Sequence, residues 1–140
     1  MSSPPHQPRW PNVVALCCLL ALNSAQAETW AITDAAHPLN VPPGVRLIRL
    51  DDQQRLEEQL SRSLPSNPHQ ATMAAQQLLN SPEGARLLAE LARAQQGAAD
   101  AWSIGITKVP AVVVDRQYVV YGQPDVAAAI KEIEAARGRP

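Results

Sequence analysis

The sequence predicts an α/β fold, a small mixed sheet with a helical insertion, closed by a C-terminal β-hairpin and a last helix. Three observations predict it. Two short β-prone runs, 29–33 and 45–50, stand near the front and are separated by a proline-rich stretch. From 52 to 103 apolar residues recur every three or four positions, and each stretch opens on a helix-capping residue. After Pro110 a β-branched run, a reverse turn, a second run and an amphipathic segment follow. Strands, then helices, then strands again describe helices layered on one small sheet.

Thr29-Trp30-Ala31-Ile32-Thr33 is the first strand and ends at Asp34. His37-Pro38 and Pro42-Pro43-Gly44 then require a loop, because proline supplies no backbone donor and fixes φ. The second strand spans 45–50, with Val45, Leu47 and the Ile48/Leu50 pair marking it as partly buried. Asp51 or Asp52 caps a helix carried by Leu56, Leu60 and Leu64 that stops at Pro65. Asn67-Pro68 and Ser81-Pro82-Glu83 each pair a cap with proline at the first helical position. The helix after Asn67 is expected to bury Met73, Ala74 and Leu78. The helix after Ser81 is expected to bury Leu87, Leu88, Leu91, Ala98 and Trp102, with Gly97 a weak point.

In the last third, 111–114 and 117–121 form a hairpin around the two-residue turn Asp115-Arg116, and Gly122 ends it. Tyr118 and Tyr121, three residues apart, are expected on opposite faces, one inward and one exposed. Asp125 opens a helix with the inward stripe Val126, Ile130 and Ile133.

Residues 1–27 read as a secretory leader. One positive charge, Arg9, precedes the apolar run 13–22, and Ser24-Ala25-Gln26-Ala27 supplies the small residues that a signal peptidase requires. The run is about half the ~20 apolar residues that a membrane-spanning helix needs. Cleavage before Glu28 leaves a single domain over 28–140, exported to the periplasm with no stable membrane span. It also removes both cysteines, Cys17 and Cys18, and with them disulfide exchange and thiolate metal binding. The whole chain carries a formal net charge of −1 without a basic stripe, so nucleic acid and anionic membrane are poor partners. Phenylalanine is absent, so the core must come from Leu, Ile, Val and Ala around Trp30 and Trp102.

The segment Ile104-Gly105-Ile106-Thr107-Lys108-Val109-Pro110-Ala111-Val112-Val113-Val114-Asp115 resembles the part of thioredoxin-like folds where a helix ends, the chain turns through a cis-proline and a central hairpin begins. Tyr121-Gly122 and the helix after Asp125 resemble the end of that fold, and the helical middle resembles a DsbA-like insertion. The resemblance implies a cis Val109-Pro110 bond, with the N–H and C=O of Val109 free to pair with an extended peptide. It also implies a redox CxxC after the first strand, where this chain has Thr33-Asp34-Ala35-Ala36-His37-Pro38. A thioredoxin-like scaffold without its redox chemistry is therefore expected.

Ile32-Thr33-Asp34, His37-Pro38, the block 101–115, Tyr118-Val119-Val120-Tyr121-Gly122 and Asp125-Val126 are also similar to a family of small exported proteins encoded on integrating conjugative elements. That family's biochemical activity is unassigned. The resemblance implies a role with the element's type IV secretion machinery in conjugative DNA transfer.

The expected binding surface is Thr107, Lys108, Val109 and Pro110, with Asp34 and His37 on a neighbouring loop. It would take a protein or an extended peptide of the secretion apparatus. Lys108 is the residue least explained by packing, and an acidic group on a partner would answer it. No cofactor is expected. Metal is not expected either, since His37, Asp34 and a distant His69 do not make a ligand set. No serine nucleophile motif or glycine-rich phosphate loop is present. Glu57/Glu58 and Glu132/Glu134 fall on exposed helix faces. The reading is therefore a non-enzymatic accessory or assembly protein. Two alternatives are an enzyme using His37 and Asp34 as an acid–base pair, and a purely structural subunit of an envelope complex.

Overall fold

In the computed structural model, which describes residues 27–138, the chain forms a mixed α/β structure of four strands and four helices. The order is β1 (Thr29–Thr33), β2 (Arg46–Arg49), α1 (Asp52–Ser63), α2 (Pro68–Leu79), α3 (Pro82–Ser103), β3 (Ala111–Val114), β4 (Tyr118–Tyr121) and α4 (Val126–Arg137). The leader, its cleavage signal and both cysteines fall on residues 1–27, which apart from Ala27 lie outside the described residues.

The strands line up as β2-β1-β3-β4. β1 runs parallel to β2 and antiparallel to β3, and β3 is antiparallel to β4. Two parallel strands need a crossover, and here it is the loop 34–45, without a helix. That loop is pinned to the start of α4, where Asn40 N–H donates to the Pro124 carbonyl at 3.1 Å and Val126 N–H to the Asn40 carbonyl at 3.4 Å.

The central strands β1 and β3 are sealed on both faces, and their alternation decides which layer each residue meets. Trp30, Ile32, Ala111 and Val113 pack with Ile48, Ala101 and Ile106 on the α3 side. Ala31 and Val112 pack with Val126 and Ala129 of α4 and with Leu39, Val41 and Val45 of the crossover loop. Each fully buried Val or Ile removes enough apolar surface from water to contribute about 1.5–3 kcal/mol. Two guanidinium groups lie over the Trp30 ring, Arg46 at 5.1 Å and Arg116 at 4.8 Å from its centroid. Asp100 and Glu28 hold those arginines at 2.7 and 3.2 Å, which ties β1, β2, α3 and the hairpin turn together.

Three capping residues act as expected. Asn67 Oδ1 accepts the N–H groups of His69 and Gln70, Ser81 Oγ that of Gly84, and Asp125 Oδ1 that of Ala128. Asp51 stands at the α1 N-cap without a side-chain cap bond, because its Oδ2 accepts the Ala35 N–H at 3.0 Å instead.

Six expectations are corrected. No residue of α2 is buried, and Met73 is half exposed, because α2 packs mainly on α3 and lies outside the layer over the sheet. Trp102 is 69% exposed rather than in the core. The buried residues of α3 are Gly84, Gly97 and Ala101, so its inward stripe passes one residue before Trp102 and leaves the ring about 100° away. Gly97 is not a weak point: a Cβ there would stand 3.1 Å from Ile48 Cγ2, so the missing side chain lets α3 approach β2. The hairpin connection holds three residues, 115–117, with Asp115 and Arg116 both in the left-handed region at φ 53° and 56°. Tyr118 and Tyr121 are both exposed, since β4 is an edge strand, and in β2 it is Ile48 that is buried while Leu47 is exposed.

Candidate functional site

β1 and β3 pair with Ile32 opposite Ala111, so the chain leaving β1 at Thr33-Asp34 emerges beside the chain entering β3 at Val109-Pro110. The ladder thus brings the two expected loops to one end of the sheet.

The first loop is a tight turn organised by one carboxylate. Asp34 Oδ1 accepts the N–H of Ala36 and of His37, each at 3.0 Å, and meets His37 Nδ1 at 2.6 Å. An aspartate that bonds its own backbone two and three residues on is the usual reason a strand stops and the chain reverses. The buried Thr33 hydroxyl donates to the His37 carbonyl, and Asp51 holds the Ala35 N–H from the β2–α1 junction. The hydrogen bond from His37 is the largest influence on the Asp34 carboxyl and holds its pKa below the ordinary 3.8.

The second loop follows the C-terminus of α3. Gly105, at φ 76°, donates its N–H to the Trp102 carbonyl, and Ile106 donates to the Ala101 carbonyl. Ile106 is buried, and Ile104 and Val109 pack against the same core cluster. These anchors leave Thr107 and Lys108 exposed between them. The Val109-Pro110 peptide is cis, and the Pro110 carbonyl accepts the Gly122 N–H at 2.9 Å. Among the described residues no hydrogen bond is made by the backbone N–H or C=O of Thr107, Lys108 or Val109.

The exposed Trp102 ends α3 just before this loop. Sequence reasoning missed it as a surface residue. Counting back from Ile104 and Ile106, or weighting the small residues Gly97 and Ala101 as the contact stripe, would have found it.

A hollow of about 160 Å3 beside the first loop is lined by Thr33, Asp34, Pro38, Leu39, Leu47 and Arg49, among others, but not by His37. The His37 ring is about half exposed and does not line this hollow. The geometry therefore joins an Asp–His pair in solvent to an open stretch of main chain. The first holds a loop in shape; the second is available for pairing with another chain. Among the described residues no group of three or more His, Cys, Asp or Glu converges to hold a metal, and His69 stands apart at the start of α2. No helix among them is long and apolar enough to cross a membrane.

Compared with known proteins, residues 26–139 match the family model described as "Protein of unknown function (DUF1525)". No curated protein and no solved structure matches the chain.

Proposed function

The chain belongs to the DUF1525 family, and we propose that it is a non-enzymatic accessory or assembly protein acting in the periplasm with the type IV secretion machinery of an integrating conjugative element. In this reading it binds a protein or extended peptide through Thr107, Lys108, Val109 and Pro110, beside the loop of Asp34 and His37. The observation that carries the reading is the unpaired main chain of 107–109, held in place by the buried Ile106 and the half-buried Val109. A rigid segment with free N–H and C=O groups pairs with an extended partner at little cost in ordering entropy. Exposed Trp102 and Lys108 flank that segment and supply an apolar and a cationic contact.

Strand order and the hairpin–helix ending support the thioredoxin-like reading. The crossover differs, since a helix-free loop replaces the helix that such folds carry after the first strand. The leader-like residues 1–27 support export, and with export the loss of both thiols.

The test is genetic. Deleting the gene from a donor should lower conjugative transfer, and a copy carrying Lys108→Glu should fail to restore it at equal protein abundance. Unchanged transfer on deletion rejects the biological role; full rescue by Lys108→Glu rejects the surface. The acid–base alternative is favoured by the 2.6 Å contact of Asp34 with His37. It requires that His37→Ala lower transfer while His37→Asn, which keeps a polar partner for Asp34, does the same.

A further inference from the structure

β2 is an edge strand, first in the order β2-β1-β3-β4, so one row of its backbone groups has no strand beside it. Leu50 N–H donates to the Thr33 carbonyl, and Thr33 stands opposite Arg49 in the parallel ladder. Backbone groups alternate sides along a strand. Those of Ile48 and Leu50 therefore turn toward β1, and those of Leu47 and Arg49 turn outward. Among the described residues no hydrogen bond outside the ladder reaches these outward groups.

A depression flanks this edge on each side of the sheet. On the α3 side a trough of about 470 Å3 lies between β2, α1 and α3. On the α4 side lies the hollow of about 160 Å3 that includes Leu39. Leu47 and Arg49 line both. An added strand presents alternate side chains to opposite faces, so one set would enter the trough and the other the hollow.

The trough sets the charge of what enters it. Asp100 occupies Arg46 at 2.7 Å. Arg49 and Arg55 converge on the same oxygen of Asp52, at 3.4 and 3.2 Å, and Asp51 stands further from Arg49 at 3.8 Å. Arg93 donates to the Ala89 carbonyl at 3.2 Å and meets no carboxylate among the described residues. The lining holds four arginines against two carboxylates, Asp52 and Glu90; two guanidinium groups sharing one oxygen, with Arg93 on the same trough, suit an incoming carboxylate.

We propose that β2 accepts an extended acidic segment of a partner protein as an added strand. Its main chain pairs with Leu47 and Arg49. Its carboxylates enter the arginine trough, and its small apolar side chains enter the hollow beside Leu39. A second copy of this chain fits less well, because its β2, Arg46-Leu47-Ile48-Arg49, brings two arginines and no carboxylate to this edge. Arginines on a short edge deter like edges; an acidic strand escapes that repulsion. The surface is distinct from the 107–110 loop, since β2 and β3 lie on opposite sides of β1.

The probe is an end-capped seven-residue peptide alternating valine and glutamate, titrated into the 15N-labelled full chain. The amide signals of Leu47 and Arg49 should move most. The pair Arg55→Gln and Arg93→Gln, both on helix surfaces, should weaken binding at least tenfold, with the free variant's spectrum reporting its folding. Methylating the peptide nitrogens on its pairing edge should abolish binding, and Lys108→Glu should leave it unchanged. Equal binding by a valine–lysine peptide, equal binding after N-methylation, shifts centred on 107–110, or no shift at millimolar peptide would each overturn the proposal.

Discussion

The central strand pair and the helix α2 both present apolar side chains and meet opposite fates. β1 and β3 are enclosed on both faces, by α3 on one side and by α4 with the crossover loop on the other. α2 rests mainly on α3, buries nothing completely and leaves Met73 and Leu79 half exposed or more. Periodicity told which face of a helix is apolar; it did not tell whether a partner covers that face. The stability of the protein should accordingly be concentrated in the sheet, with the helical layer attached through few contacts.

The sharpest way to break this contrast is to cut into each region. Ile32→Ala removes a fully enclosed side chain and should cost about 3–4 kcal/mol in urea unfolding. A loss below about 1 kcal/mol would show that the strand pair is not the core. Gly84→Ala comes next. Its Cβ would stand 1.9 Å from the Leu78 carbonyl oxygen, a backbone atom, so the α2–α3 junction must shift. We expect a cost of about 2–3 kcal/mol, despite a helix-propensity gain of about 1 kcal/mol. Hydrogen exchange should show protection lost in α2 and kept in β1 and β3. Asn67→Ala deletes the α2 cap and should cost about 1 kcal/mol. Met73→Ala should stay within about 0.5 kcal/mol, the range of an ordinary surface change.

A finer probe addresses the loop beside the sheet. Because the folded Asp34 pKa is lowered, chiefly by the His37 hydrogen bond, its ionised form is favoured by folding. That stabilisation is present above the ordinary carboxylate pKa of 3.8 and is lost as pH falls through the lowered value. Titration of the Asp34 carboxyl carbon by NMR should show a midpoint below 3.8 that rises in His37→Ala. No change on that substitution would separate the pair.

Much of this fold was legible because local chemistry and final structure agreed. Asn67-Pro68, Ser81-Pro82 and Asp125 start their helices as such caps do, and β1 falls where its β-prone run lies. The misreadings share one physical origin. In α3 the closest contact is made by small residues, Gly97 against Ile48 and Ala101 against the sheet, whereas hydrophobicity favours the large ones. Continuing the Leu88–Leu91–Ala98 stripe placed Trp102 inside, and helix propensity marked Gly97 as a defect. The same error of coverage put Met73 in the core. At the site, Asp34, His37 and the 107–110 segment were nameable from sequence, and their adjacency follows from the β1–β3 register. The Asp51 tether was not legible, because it joins residues that are distant in the chain and its carboxylate serves a loop rather than the helix that it precedes.

The claim on which the account turns is that the open main chain at 107–109 is a contact surface in the working cell. Site-specific photocrosslinking tests it most directly, with a benzophenone amino acid at position 108 and, as control, at the exposed position 134 on α4. Irradiated donor cells should yield an adduct to a component of the secretion machinery from position 108 and none from position 134. No adduct from 108, or the same adduct from both positions, would contradict the account.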